Sequence, residues 1–346
     1  MQTPRDEPRP DSVPKISVIA TVRNESSTIR SFLETLLRQT LRPDEIVIVD
    51  GRSTDGTHEI LAEFERAGRI RLISQDCNIA QGRNLGIGHS NNELVAITDA
   101  GCRVDPFWLQ KIAECFATGD RPDVVAGNFA FDCHTEFERA VVFATFSPSR
   151  EAGPVAQYYP SSRSVAFRKS AWKAAGGYPE WLYAAEDTLL NIRLRQLGYK
   201  FVFCKDAIVH WRPREGWGKL AKQRFNFSRG NARVGIATSG YVINIKFHGA
   251  MLILLAVGAQ WWPSSVAAVA VLIEHIRRHL WKQARHAMTR TGSVAMFLRV
   301  LAVMEFVRIV NIFGFLAGRL DRVVHPSFKK MQLEWMGMKS LDDPPS

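Results

Sequence analysis

The stretch "AITDAGCRVD" (residues 96–105) runs an apolar segment into Asp99 and then into Ala100 and Gly101. A carboxylate at the end of a strand, followed by small residues, suits a metal or phosphate site. Hard divalent cations, however, usually take more than one protein oxygen. Other polar residues sit in comparable places. Asp50 closes "EIVIVD", and Arg23, Asn24 and Glu25 follow the apolar start of "ISVIATVRNE". Each aspartate alone reads as a helix cap or turn former, whereas several such clusters read together as a binding site. "AAEDTLLNIRLRQLG" adds the adjacent acids Glu186 and Asp187. Acids in the first turn of a helix are otherwise dipole-favoured caps.

These residues need elements to hold them. Ile16–Ala20 is a short run rich in β-branched residues, as in a buried strand. Ser26 and Ser27 can cap a helix whose apolar face is Ile29, Phe32, Leu33, Leu36 and Leu37. "EIVIVD" is the next strand, "GRSTDGT" is turn chemistry, and Ile60, Leu61 and Phe64 mark a helix that Gly68 can end. "RIRLIS", a helix over about 79–89 and "LVAIT" continue the alternation. The helix opened by Glu186 closes at Gly198, with Leu189, Leu190, Ile192, Leu194 and Leu197 on its buried side. The pattern predicts a parallel sheet covered on both faces. Ligands of such sheets bind at the carboxyl ends of the strands.

Five stretches in order, "ISVIATVRNESSTIRSFLETLLRQT", "EIVIVDGRSTDGT", "NIAQGRNLGI", "AITDAGCRVDPFWL" and "AAEDTLLNIRLRQLGYKFVF", resemble family 2 of the inverting glycosyltransferases over about residues 15–235. The resemblance implies the GT-A fold, a nucleotide-sugar donor (UDP- or GDP-sugar), Mg2+ or Mn2+, and direct displacement at the anomeric carbon. It implies that Thr21, Arg23, Asn24, Glu25 and Asp50 hold the nucleoside and that Arg83 lies near the donor phosphates. Gly51 and Arg52 stand where many members have a second aspartate and a glycine, so the base stays open. "TDAG" matches the family's Asp-x-Asp motif with Gly101 in place of its second acid. Asp99 is then the candidate metal ligand, completed by diphosphate oxygens and water. His210 is either a further ligand or a histidine packed against Trp211, and Cys102 is too soft to be preferred. Glu186–Asp187 matches a motif whose aspartate is the general base, which assigns that role to Asp187 and acceptor positioning to Glu186. Arg163 and Ser164 are placed near the acceptor, and the Pro/Ser/Gly-rich stretch 145–164 reads as an active-site loop.

The chain has 346 residues and a formal net charge of +11, which calls for anionic company. Five unpaired-looking cysteines disfavour a disulfide framework and fit a reducing compartment. Residues 1–14, with four prolines and no apolar run, read as a disordered tail and not a signal peptide. Residues 205–233 interleave Lys and Arg with aromatic residues. They read as a solvated face, a nucleic-acid surface, or a lid in which Trp217 and Arg224 meet diphosphate and lipid headgroups. No RNA module matches, so nucleic acid is not expected.

From Gly249 to Ile273 the chain carries no formal Lys or Arg charge, but "QWWPSS" interrupts the run. Basic residues at both ends favour a helical hairpin in one leaflet over a single span. Val294–Leu320 reads as an amphipathic or bundle-packed helix in which Glu305 and Arg308 can pair at i and i+3. A soluble alternative makes both segments an oligomer interface. The expectation is therefore an α/β GT-A Rossmann-like domain at 15–235, followed by a helical membrane-associated region at 236–346. Its function would be envelope or exopolysaccharide glycan synthesis on a polyprenyl-linked acceptor, at the cytoplasmic side of the cell membrane. A sugar nucleotidyltransferase or a catalytically lapsed membrane scaffold is the alternative.

Overall fold

The computed structural model describes residues 14–146 and 159–337. They form two compact units. Among the described residues, the first comprises 14–130 and 159–211, and the second 131–146 and 212–337. The division therefore does not fall at residue 235, because the segment after Trp211 packs with the helical unit.

The first unit carries a sheet of eight strands in the order β3-β2-β1-β4-β7-β6-β8-β5. The strands are β1 (Ile16–Val22), β2 (Glu45–Asp50), β3 (Arg71–Ser74), β4 (Leu94–Ile97), β5 (Cys102–Val104), β6 (Val124–Phe131), β7 (Val165–Arg168) and β8 (Phe201–Trp211). Helices α1 (Ile29–Leu37), α2 (Thr57–Arg66) and α3 (Ile79–His89) alternate with the first strands. β1 lies parallel to β2 with Val22 level with Asp50, and parallel to β4 with Ile19 level with Ile97. Both neighbours thus end at the same edge, which carries the turns after Val22, Asp50 and Ile97. β4 is apolar and buried throughout, and β1 is buried except at Thr21, as central strands require.

The parallel sheet expected from the first strands gives way to antiparallel pairing in its second half. β7 runs antiparallel to β4 and to β6, and β5 antiparallel to β8. Parallel neighbours need a crossover that carries the chain back to the starting edge. β5 follows β4 after a turn at 98–101 but is not its neighbour; it pairs with β8 at the far side of the sheet. Ser26 and Ser27 do not cap α1: its N-cap is Thr28, without a side-chain cap, and the Ser26 amide donates to Asp55 Oδ2 at 3.0 Å. α3 is capped by Asn78, whose side chain accepts from the Gln81 amide at 2.9 Å. Strand β8 continues through Trp211, so His210 is a strand residue and does not follow the strand. α4 (Trp108–Phe116), α6 (Lys169–Ala174) and α7 (Glu186–Gln196) complete this unit. Leu197, placed on the buried side, is 38% exposed.

The second unit comprises α5 (Glu136–Thr145), α8 (Trp217–Val234), α9 (Thr238–Gly258), α10 (Trp262–His275), a π-turn segment at 276–280, α11 (Trp281–Thr291), α12 (Val294–Val324) and α13 (Ser327–Met336). Ala140, Leu220, Ala284, Met296, Val300 and Val303 share its core. Gly314 and Gly318 let α12 press on α8: a Cβ at Gly318 would stand 2.3 Å from the Arg229 carbonyl oxygen. α9 and α10 form the expected hairpin, but its first arm is longer than the uncharged run. At 21 residues α9 spans about 30 Å. α9 and α12 are long and apolar enough to cross a membrane by length and composition. Leu252, Ile253, Leu255, Trp261 and Trp262 stand exposed on the hairpin.

Candidate active site

The turn after β1 and the turn after β2 are stitched together. Asn24 takes a left-handed conformation (φ 58°), which asparagine tolerates. Its side-chain oxygen accepts from the Thr54 amide at 2.8 Å, and its own amide donates to Ser53 Oγ at 2.9 Å. Asp50 is fully buried; Oδ1 accepts from the Ser53 amide and hydroxyl at 3.0 and 2.7 Å, and Oδ2 lies 3.0 Å from His58 Nδ1. The Glu25 amide donates to Thr57 Oγ1 at 2.8 Å. Asp55 accepts from Thr57 Oγ1 and the Ser26 amide, which hold its carboxyl down to about 2. These bonds pre-form a polar rim at the strand ends. Thr21 is half-buried at the end of β1, with its methyl 2.8 Å from where a Cβ on Gly82 would lie. Arg23 is mostly exposed, 3.7 Å from Asp76.

Arg83, on α3, is the hinge of the site. It is 2% exposed. Its Nη2 donates to Asp99 Oδ1 at 2.9 Å and its Nη1 to Glu186 Oε1 at 2.7 Å. One planar guanidinium thus joins the turn after β4 to the start of α7, a task its rigid fork suits. Its plane lies 5.3 Å from the Tyr178 ring centre, and Nε is buried without a hydrogen-bond partner. Burial works against its charge, but Asp99 and Glu186 outweigh burial and raise its proton affinity. Burial, then Asp187, push the Glu186 carboxyl upward against the pull of Arg83. The 2.7 Å contact holds the two as an ion pair, because neutralising Glu186 would strand a buried guanidinium.

Asp187, half-buried beside Glu186, is oriented by its neighbours. Oδ1 accepts from the Thr188 amide at 2.7 Å, and among the described residues Oδ2 has only a 3.5 Å contact with the Ser162 amide. Ala185 precedes both acids with φ 70°, a left-handed conformation that costs a non-glycine residue about 1–2 kcal/mol. Ser162 Oγ lies 3.1 Å from the Tyr178 hydroxyl, which ties the segment before β7 to the floor of the site. Arg163 lies over the Trp211 ring, 4.3 Å from its centre.

Divalent-metal chemistry fits this arrangement only with help from the substrate. Asp99 is one-third exposed and keeps one oxygen outside the Arg83 contact. No group of three or more His, Cys, Asp and Glu with metal-holding spacing exists among the described residues. A cation bound through one carboxylate plus donor phosphates and water matches magnesium's habit. His210 does not complete a protein cage; its Nε2 is 3.9 Å from Asp105 Oδ2. Burial, then Asp99, push the Cys102 thiol up to about 12.

The remaining expected site residues lie elsewhere. Ser164, expected near the acceptor, is 2% exposed and saturated: it accepts from Trp108 Nε1 at 2.9 Å and donates to the Ala207 carbonyl at 3.0 Å. It is a core fastener of the sheet. Trp217 and Arg224 belong to α8 in the helical unit. Trp217 packs edge-on against Phe137 and Phe306 there, with ring centres 4.9 and 4.7 Å away. Residues 147–158 of the expected active-site loop lie outside the described residues.

The family described as Glycosyl transferase family 2 matches residues 17–173, the span that holds the polar rim, Arg83 and Asp99. This chain carries a glycosyl transferase family 2 domain. Glycosyltransferase AglE of Haloferax volcanii is 25% identical, covering 90% of this chain and 97% of its own. The succinoglycan biosynthesis protein ExoA of Rhizobium meliloti is 28% identical, covering 61% and 67%. The mannosyltransferase PcManGT of Pyrobaculum calidifontis, solved with GDP-Man and Mn2+, shares the fold at TM-score 0.55 and 19% identity over 91% of each chain.

Tyr178 and His58 join the site without having been expected from the sequence, whereas Ser162 belongs to the stretch read as an active-site loop. Tyr178 sits in "GGYPE", which reads as turn chemistry, and only its nearness to the Glu-Asp motif hinted at a role. His58 had no signal, because a histidine early in an exposed helix is ordinary.

Proposed function

We propose that this glycosyltransferase moves a sugar from a UDP- or GDP-sugar, with inversion, to a hydroxyl or phosphate of a polyprenyl-linked acceptor. The observation that carries the reading is the Arg83 bridge, which holds the Asp99 turn and the Glu186–Asp187 helix start at one guanidinium. Asn24, Glu25 and Asp50 form the rim that takes the nucleoside, through carboxylate acceptors and turn amides. Asp99, together with the donor diphosphate, would hold Mg2+ or Mn2+, which would supply charge neutralisation for the departing nucleoside diphosphate. Glu186 is bound to Arg83 and so fixes where α7 begins, which positions Asp187 beside the acceptor. Asp187 is the general base. Thr188 holds Oδ1, leaving Oδ2 to take the acceptor proton as the nucleophile attacks. Arg163, aligned over Trp211, lines the acceptor side.

The names of the relatives AglE and ExoA support an envelope or exopolysaccharide glycan as product. The exposed apolar hairpin and α12 support seating at the cell membrane, with the catalytic unit on the cytoplasmic side where nucleotide sugars are made. A screen of UDP- and GDP-sugars with Mn2+ tests the reading. Release of nucleoside diphosphate and an inverted anomeric centre in the product, seen by NMR, are expected. Pyrophosphate chemistry would instead indicate a nucleotidyltransferase, and no turnover of any donor a lapsed scaffold.

A further inference from the structure

The helical unit contains a cavity of about 840 Å3 that the transfer chemistry does not use. Tyr241, Phe247, Val271, Met304 and Val307 supply apolar walls, and Arg308 lines it from α12. Glu305 and Arg308 were expected to pair. Instead Glu305 is taken by two histidines, lying 2.6 Å from His248 Nε2 and 3.3 Å from His275 Nε2. Arg308 is left with one neutral partner, donating to Asn244 Oδ1 at 2.8 Å, and forms no ion pair among the described residues. The one acid on the wall, Glu274, is engaged by Arg277 and Arg278. A half-buried guanidinium has five donors in a flat fork, and one amide oxygen leaves most of them unmet. The complement is an anion with several acceptor oxygens, and phosphate fits that fork. Asn244, His275, Arg278, His279 and Gln283 line it as well, so polar and apolar surface stand side by side, as a phosphate carrying an apolar chain requires. The same helices expose Leu252, Val269, Leu272 and Phe313, the kind of surface that meets lipid.

The geometry points to this cavity as a binding site for the phosphate headgroup of a long-chain lipid, with Arg308 as its anchor and the lipid-linked acceptor as its occupant. The inference rests on the sugar-transferase reading above, and it assigns the acceptor's phosphate to the helical unit. Arg308 holds the headgroup and takes no part in the chemical step.

The test uses the full chain in nanodiscs, titrated with a polyprenyl phosphate, its parent polyprenol, phosphatidylglycerol and inorganic phosphate. Native mass spectrometry reads binding, and donor nucleotide affinity is measured on the same samples. The polyprenyl phosphate should bind saturably, the polyprenol at least tenfold more weakly, and inorganic phosphate should not displace it. Arg308→Gln should weaken the lipid at least tenfold, and Arg308→Lys should recover part of that loss, with donor affinity unchanged. If Arg308→Gln fails to fold, Gly240→Leu decides. Gly240 lines the cavity and an added Cβ there meets nothing within 4 Å, so leucine should fill the space and displace the lipid. Equal binding of polyprenol or phosphatidylglycerol, or lipid affinity untouched by both variants, overturns the inference. Donor binding that survives such a result leaves the transferase reading standing, whereas a protein that binds lipid phosphate but no nucleotide sugar overturns that reading instead.

Discussion

Arg83 Nη1 and Glu186 Oε1 lie 2.7 Å apart, although 103 positions separate the residues in the chain. The contact is almost fully shielded from solvent, and the same guanidinium reaches Asp99. A buried ion pair is a poor source of net stability but a strong constraint on geometry, because neither partner can be left alone. Here the constraint fixes the start of α7 against the turn after β4. Arg83 is therefore a positioning residue for two carboxylates before it is anything to a donor phosphate.

Arg83→Met strands the Glu186 carboxylate and should cost about 3–5 kcal/mol in urea denaturation. Adding Glu186→Gln removes the stranded charge, so the double variant should regain part of that loss. Strict additivity of the two substitutions would show that the pair is not coupled.

Thiol chemistry gives a pH-dependent check. Burial, then Asp99, push Cys102 up to about 12, so its thiolate is scarce at pH 8 and appears only as pH approaches that value. Cys115, which the Cys204 thiol hydrogen-bonds, is held below the ordinary thiol value. Iodoacetamide at pH 8 should label Cys115 well before Cys102 in peptide mapping. Early labelling of Cys102 would contradict its burial.

Much of the fold was legible because central strands announce themselves. "ISVIATV", "EIVIVD" and "LVAI" are short, apolar and β-branched, and helices of period 3.6 lie between the first of them. The antiparallel half was not, since strand direction depends on connections and leaves no trace in a single apolar run. Asp50, Asp99 and the Glu-Asp pair could be named from strand ends and motifs. That one arginine would satisfy two of these acids could not, because contacts across 16 and 103 positions are set by tertiary packing. Glu305 shows the same limit. Its helical spacing to Arg308 permits a pair, yet histidines from α9 and α10 offer closer partners.

Ala185 holds a left-handed φ of 70° immediately before the two acids. Ala185→Gly relieves the strain and should stabilise the fold by about 1 kcal/mol, while Ala185→Val should destabilise it by at least that much. Denaturation midpoints of the two variants check both directions. A glycine variant less stable than the parent would show that the conformation carries no strain.

Gly101 occupies the place of the second acid in the Asp-x-Asp pattern, and a Cβ there would have only Glu25 Oε1 near it, at 4.0 Å. Gly101→Asp should fold normally and place a new carboxylate close to Glu25. Its Mn2+ affinity, read from the free-ion signal by electron paramagnetic resonance in the presence of nucleoside diphosphate, should rise several-fold. An unchanged affinity would argue that the cation does not sit at this turn.

Turnover of Asp187→Asn, measured beside its donor affinity, tests the central claim most directly. The substitution keeps size and shape but removes the proton acceptor. Turnover should fall by about 10²–10⁴-fold, the usual span for a general base, with donor affinity unchanged. Wild-type turnover by a folded, donor-binding Asp187→Asn protein would contradict the account.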